Sequence, residues 1–234
     1  MNFIRNDCIT CKVRSCSILN QCDLETLATI SAHKISKSIR KGERLFGEGD
    51  PVQGVCFIKK GFLKIELNGK QGRPLVLQFA GKGTILGHRT SALHQTHNYS
   101  ATAVTEVQYC YIPFNQFREI TKHSQSLQEQ IINQILVELD LVQKRATYLA
   151  HKTVKEKVAQ ALLLLAEAYG YEEKKQSFSI GFCRQDIADL AGTTKEQVSK
   201  IFKELQKDKL IRCTAKKFSY IHIEMLQKIS GIDT

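Results

Sequence analysis

The sequence predicts an α+β chain with an N-terminal antiparallel β-barrel, a long helix and a C-terminal winged helix-turn-helix. Three observations carry this reading. Ten of the fourteen glycines lie between Gly42 and Gly87, where they separate short runs such as VCFI, FLKIEL and LVLQF; short strands at close spacing with glycine turns form antiparallel barrels or sandwiches. Residues 115–150 contain neither glycine nor proline and repeat with a helical period. From Arg184 onward, two short helical runs flank Gly192-Thr193-Thr194 and lead into a strand pair, the order of a winged helix-turn-helix.

The chain is long enough, at 234 residues with 42% apolar and 24% charged, for one or two real cores. It is too apolar for a disordered chain. Its longest apolar run, Ala161 to Ala166, is far short of the roughly 20 residues of a membrane helix. The start, MNFIRNDC, has no charged-then-apolar leader, so a soluble cytoplasmic protein with no membrane partner is expected. The net charge of +11 points to an anionic partner, nucleic acid first. It does not locate that partner, because residues 1–150 carry 19 basic against 12 acidic groups (+7) and residues 151–234 carry 15 against 11 (+4).

Four of the eight cysteines, Cys8, Cys11, Cys16 and Cys22, crowd the first 22 residues. A reducing cytoplasm disfavours disulfides. A short helix should follow, with Asn20 as N-cap and Leu24, Leu27 and Ile30 at near-helical spacing. In the glycine-rich region, Glu48-Gly49-Asp50-Pro51 reads as a turn and Asn68-Gly69-Lys70 as a hairpin tip. The alternating run VTEVQYCYIP, ending at Pro113, places Cys110 on the last strand.

In the long helix, Ile132, Ile135, Leu139, Val142, Ala146 and Leu149 are spaced 3, 4, 3, 4, 3. Such a seam suits a dimerising helix at the junction of two domains, with packing on its own barrel as the plainer alternative. A second helix should run from Val154 to Tyr169. The last third reads as helices Arg184–Ala191 and Lys195–Lys207, then strands Leu210–Cys213 and Phe218–Ile223 around a basic turn at Lys216-Lys217. The resulting division is a cysteine-rich segment at 1–22, a β-barrel sensor domain at 23–114, a dimerisation helix at 115–151 and a DNA-binding domain at 152–234.

The helix from Lys195 has two faces. Val198, Ile201, Phe202 and Leu205 are apolar, whereas Glu196, Ser199, Lys200 and Lys203 follow one another at i, i+3, i+4 and i+7 on the other side. Lysine can donate to guanine, a carboxylate can accept from cytosine, and serine serves either. Gln185 and Lys203 suit phosphates, and Thr194 and Lys195 at the helix start complete the set. With Thr193 as N-cap, Glu196 would instead close a capping box, a purely structural task.

Cys8-x2-Cys11-x4-Cys16 gathers three thiolates, the ligands that iron–sulfur clusters and zinc prefer. A fourth ligand is needed. Spacing favours the nearby Cys22, with Cys110 as the remote candidate. A thiol/disulfide switch uses the same residues. Cys56, Cys183 and Cys213 sit in apolar sequence and read as small core residues. A thiol oxidoreductase using Cys8 and Cys11 is the rival from another class, but no strand precedes this Cys-x-x-Cys. No P-loop, zinc-protease or nucleophile-elbow motif occurs, so an enzyme is not expected.

RQDIADLAGTTKEQVSKIFKELQKDKLI resembles the helix-turn-helix of the Crp/Fnr superfamily of bacterial transcription regulators. KGERLFGEGDPVQGVCFIKKGFLKI resembles the start of that family's effector domain, and YCYIPFNQF its last strand and the turn into the dimer helix. The resemblance spans nearly the whole chain. It implies a cyclic-nucleotide-binding-like jelly roll and a homodimer whose recognition helices enter successive major grooves of double-stranded DNA, with RNA polymerase as a further partner. Lys195, Glu196, Ser199 and Lys200 fall where the family places base and backbone contacts. Lys200 replaces the usual arginine and lacks its bidentate fork.

Cyclic-AMP-binding members use a Gly-Glu pair and a later Arg-Ser/Thr pair. Here Gly87-His88 and Tyr99-Ser100 stand at those positions, so the phosphate's cation and the ribose's acceptor are both missing. A barrel binding another small molecule is an alternative. The context VQYCYIPF matches the strand on which oxygen-responsive Fnr-type members carry their fourth cluster ligand. The resemblance therefore implies an iron–sulfur (4Fe-4S) cluster on Cys8, Cys11, Cys16 and Cys110, with Cys22 as the alternative and zinc as the alternative metal. The second cysteine gap is one residue shorter than in those members. His88, His94 and His97 read as a solvated loop cluster rather than a haem site.

Overall fold

The computed structural model describes residues 7–69, 74–89, 95–168, 171, 183–214 and 218–231. Two 3₁₀ turns, Arg14–Cys16 and Ile18–Gln21, precede helix α1 (Leu24–His33). The N-cap of α1 is Asp23 rather than Asn20: the Asp23 carboxylate accepts from the Thr26 amide at 2.8 Å. Cys22 therefore lies outside the helix. Leu27 and Ile30 are buried one turn apart, as the spacing predicts.

Eight strands follow: β1 (Ile35–Ile39), β2 (Arg44–Phe46), β3 (Gly54–Lys60), β4 (Leu63–Asn68), β5 (Pro74–Ala80), β6 (Ile85–Leu86), β7 (Ser100–Ala103) and β8 (Val107–Pro113). They form two four-stranded sheets in the orders β1-β8-β3-β6 and β2-β7-β4-β5. The predicted barrel is thus a jelly-roll-like sandwich of two sheets that do not close on each other. In the first sheet every pairing is antiparallel, and Cys110 lies opposite Ser36 on one side and Phe57 on the other. Because side chains alternate along a strand, Cys110 and Ile112 share a face with their partners Phe57 and Val55. That face belongs to a core with Cys8, Leu19, Leu27, Ile30 and Phe117.

The predicted helix at 115–151 is two helices, α2 (Phe114–His123) and α3 (Gln125–His151). The break is chemical. The Ser124 hydroxyl accepts from the Leu127 amide at 3.1 Å, giving α3 its own start. Helix α4 (Val154–Ala168) matches the prediction as far as the described residues go; Tyr169 lies outside them.

Helices α5 (Arg184–Ala191) and α6 (Lys195–Lys207) have the predicted bounds. Gly192 joins them at φ +59°, a left-handed turn with the Leu149 side chain 3.1 Å from where a Cβ would lie. Strands β9 (Ile211–Cys213) and β10 (Phe218–Ile221) pair antiparallel; the turn at Lys216-Lys217 and the tip residue Lys70 lie outside the described residues. Strand β10 stops before Ile223 because a further helix, α7 (Ile223–Ser230), begins there and is capped by Gly231.

The chain divides into two units, Met1–Ile65 with Ala80–Leu141 and Glu66–Phe79 with Val142–Thr234. No helix among the described residues is long and apolar enough to cross a membrane.

Candidate cysteine site and nucleic-acid interface

The N-terminal segment and strand β8 bring Cys8, Cys11 and Cys110 to one pocket, whose wall also carries Ile30, Lys34, Phe57, Lys59 and Gly83. Cys8 and Cys110 are buried, Cys11 is half-buried and Cys16 is exposed. Cys16 stands at the pocket edge through Gly83. At φ +88°, Gly83 has the Cys16 carbonyl oxygen 2.0 Å and its sulfur 3.0 Å from where a Cβ would lie. Only glycine allows that approach.

Two lysines set positive charge beside these thiols. Lys34 Nζ donates to Cys8 Sγ at 3.2 Å. Burial raises the Cys110 thiol above its ordinary range, while Lys34 and Lys59 pull it back. Cys22 is different. Neither it nor Cys16 lines the pocket, and each sulfur donates to a local carbonyl, Cys16 to Val13 at 3.1 Å and Cys22 to Ile18 at 3.7 Å. But Cys22 is buried, and burial with the neighbouring Asp23 charge raises it to about 11. Among the described residues no three His, Cys, Asp or Glu side chains converge on a single ion position. Cys8, Cys11 and Cys110 line one pocket without meeting at a point. That donor set fits an iron–sulfur cluster, in which each iron takes one thiolate.

The other cysteines divide. Cys56 is a buried core residue with its thiol pushed up to about 12. Cys183, expected in the core, is exposed instead: it is the N-cap of α5, its amide donating to Asp186 Oδ2 at 2.8 Å. Cys213 is half-buried. The histidines are not a solvated cluster. The His88 side chain is buried, and His97 is buried and stacked on Phe46 at 3.6 Å; His94 lies outside the described residues.

In the second unit, α6 buries Val198, Ile201, Phe202 and Leu205 and leaves Lys195, Glu196, Lys200 and Lys203 exposed. Thr194, not Thr193, is the N-cap: its hydroxyl accepts from the Gln197 amide at 3.3 Å. Glu196 is therefore not the capping-box residue. Ser199 donates to the Lys195 carbonyl at 2.8 Å, and Gln185 donates to Asp189 at 2.8 Å. Thus the three lysines offer their ammonium groups outward, while Thr194 and Ser199 already serve the backbone. The end of α3 is tied to this unit. Arg145 donates to the Leu190 carbonyl, Tyr148 to the Glu156 carbonyl at 2.5 Å, and Lys157 to the Leu149 carbonyl at 2.6 Å.

The α3 seam is open. Ile132 is 57% exposed, Ile135 41%, Leu139 51% and Val142 48%; Ala146 is exposed and Leu149 half-buried. Leu136, Val137 and Leu141 add to this apolar surface. Sequence reasoning missed the inward face of the same helix. There the buried Glu138, hydrogen-bonded by Gln134, meets His88 and Arg89. The 4, 3, 4 spacing of Leu127, Ile131, Gln134 and Glu138 was the signal.

A jelly-roll-like β domain followed by a long helix and a helix-turn-helix is the architecture of a DNA-binding transcription regulator. Comparison with known proteins agrees: a cyclic nucleotide-binding domain matches residues 36–124, and a Crp-like helix-turn-helix domain matches residues 156–229. The chain belongs to the Crp/Fnr family, a transcription regulator and not an enzyme. It is 28% identical over 215 residues to the electron transport regulator A of Shewanella oneidensis, covering 91% of this chain and 84% of that one. It is 28% identical over 204 residues to the transcriptional activator protein anr of Pseudomonas aeruginosa, with 86% and 80% covered. The fold is similar to that of FixK2 from Bradyrhizobium japonicum, with a TM-score of 0.74 at 19% identity over 86% of this chain and 99% of that one.

Proposed function

We propose that the chain is a cytoplasmic, homodimeric, DNA-binding regulator whose input is the state of a 4Fe-4S cluster held by Cys8, Cys11, Cys16 and Cys110. The observation that carries this reading is the pocket shared by Cys8 and Cys11 of the N-terminal segment and Cys110 of β8, with Cys16 beside its wall residue Gly83. Relatives named as an electron transport regulator and an anaerobic regulatory protein support an oxygen-linked signal. A cluster bound there supplies a reaction with oxygen or nitric oxide that ends in its loss.

The residues of the chain do the rest. Cys8 and Cys110 join the N-terminal segment to β8, which runs through Pro113 directly into α2 and then α3. A change at the cysteines therefore reaches the start of α3 through one strand and one short helix, a local event with a distant readout. The α3 seam of Ile132, Ile135, Leu139, Val142, Ala146 and Leu149 joins two copies. The two α6 helices then read half-sites about one helical turn apart, with Lys195, Glu196, Ser199 and Lys200 toward bases and Gln185, Thr194 and Lys203 toward phosphates. At a promoter the dimer meets RNA polymerase. The β domain is not built for a cyclic nucleotide: His88 and Tyr99 stand where cyclic-AMP-binding members carry glutamate and arginine, and the nearby Arg89 is engaged by Glu138.

Anaerobic purification with iron and sulfide analysis tests the input. About four of each per chain are expected, with visible absorption that bleaches in air. Colourless, iron-free protein from iron-replete cells would overturn it.

A further inference from the structure

Helix α3 is turned in an unexpected way. It exposes Leu136, Val137 and Leu139, yet buries the Glu138 side chain to 7%. Burial energetics alone would rotate the helix to cover a leucine and expose the carboxylate. What holds it is a set of groups from the β6 end of the sandwich. His88 Nε2 lies 3.3 Å from Glu138 Oε1, and Arg89 Nε lies 2.9 Å from Oε2. Gln134, one turn earlier on α3, donates to Oε1 at 2.8 Å.

The His88 side chain is 1% exposed, and Gly87 at φ +81° delivers it. Arg89 also lies over the Tyr99 ring at 5.1 Å. The Tyr99 hydroxyl and His88 Nδ1 are buried there without a hydrogen-bond partner, and His88 Nε2 and Arg89 Nε meet Glu138 as close ion-pair contacts rather than aligned hydrogen bonds. A cation and an imidazole therefore converge on one carboxylate, with the Tyr99 ring against the cation. Burial raises the Glu138 carboxyl, but the contacts from His88 and Gln134 and the charges of His88 and Arg89 outweigh it, and its pKa is lowered.

We propose that Glu138 is a built-in carboxylate ligand of the β domain: His88 and Arg89 hold it as they would a free carboxylate, and that hold fixes the rotation of α3 about its axis. One residue of slip turns an α-helix by about 100°, so the hold decides which side chains of α3 face outward. Its consequence for DNA binding rests on the reading of α3 as the dimer helix.

The test uses the full chain. Glu138→Ala leaves a carboxylate-sized vacancy between His88 and Arg89. Its thermal midpoint and DNA affinity should fall, and millimolar formate or acetate should restore both, whereas chloride at equal ionic strength should not. Adding Arg89→Met should abolish the rescue. Should Glu138→Ala not fold, Glu138→Gln and Arg89→Met form a cycle that decides the matter. Each single variant should weaken DNA binding about tenfold, and the double variant no more than either. Glu138→Ala and Glu138→Gln as stable as the wild type, a rescue indifferent to Arg89, or additive losses would each overturn the proposal. Midpoint rescue reads the hold even in a monomer, while sedimentation of the wild type reads the dimer separately.

Discussion

The Asp23 carboxylate and the Ser126 hydroxyl, 103 positions apart, share a hydrogen bond of 2.6 Å. Asp23 follows Cys22 directly and caps α1, while Ser126 lies in the first turn of α3. The Thr26 hydroxyl reinforces the tie, donating to Asp23 at 2.9 Å and lying 2.7 Å from the Ser124 hydroxyl. The end of the cysteine segment is thus fastened to the start of α3 by four short polar side chains.

Replacing Asp23 by alanine should cost about 1 kcal/mol for the lost cap, with more for the lost tie to α3. Hydrogen bonds from Ser126 and then Thr26 hold the Asp23 carboxyl at about 2, below its ordinary value. Its contribution is therefore present above pH 4 or so and lost as the pH falls toward 2. Denaturant titrations should show the gap between wild type and Asp23→Ala narrowing over that window; a constant gap would argue against the tie.

The two candidate fourth ligands separate cleanly. Cys110→Ser should lose iron and sulfide on anaerobic purification, whereas Cys22→Ala should retain them with only a modest loss of stability. The reverse pattern would move the ligand to Cys22.

On the DNA side, Lys200→Ala should weaken specific binding by about 1–3 kcal/mol and relax selectivity at one base pair. Lys203→Ala should weaken all sequences alike and lower the salt slope by about 1. Anisotropy titrations on a selected site and its point variants, at several salt concentrations, distinguish the two. Unchanged selectivity in Lys200→Ala would remove it from base reading.

Because Ile135 and Leu139 are exposed within the chain, Ile135→Asp and Leu139→Asp should leave the fold intact while separating two copies. Sedimentation should show monomers that no longer bind the DNA site. A variant that stays dimeric would place the seam elsewhere.

The sequence was most legible where one period dominates a segment. Val198, Ile201, Phe202 and Leu205 define α6 because nothing competes with their spacing. Helix α7 escaped notice because eight residues give only two turns; Ile223, Leu226 and Ile229 with Gly231 behind them were its signal. In α3 two stripes share the same period, one apolar and one ending in Gln134 and Glu138. Periodicity alone cannot say which stripe turns inward when a buried carboxylate has partners as remote as His88 and Arg89. Cys110 could be placed on its strand by alternation, but pairing β8 with β1 and β3 depends on contacts far apart in sequence, which no local pattern carries.

Gly83 and the Cys16 carbonyl meet backbone to backbone. Such a seat is indifferent to what the side chains of Lys12, Val13, Arg14 and Ser15 are, yet it measures how many residues separate Cys11 from Cys16. The cysteine segment therefore behaves as a ruler cut to this chain's own gap, one residue shorter than in the Fnr-type members it resembles: a residue inserted here without a matching change around Gly83 would move Cys16 off its seat.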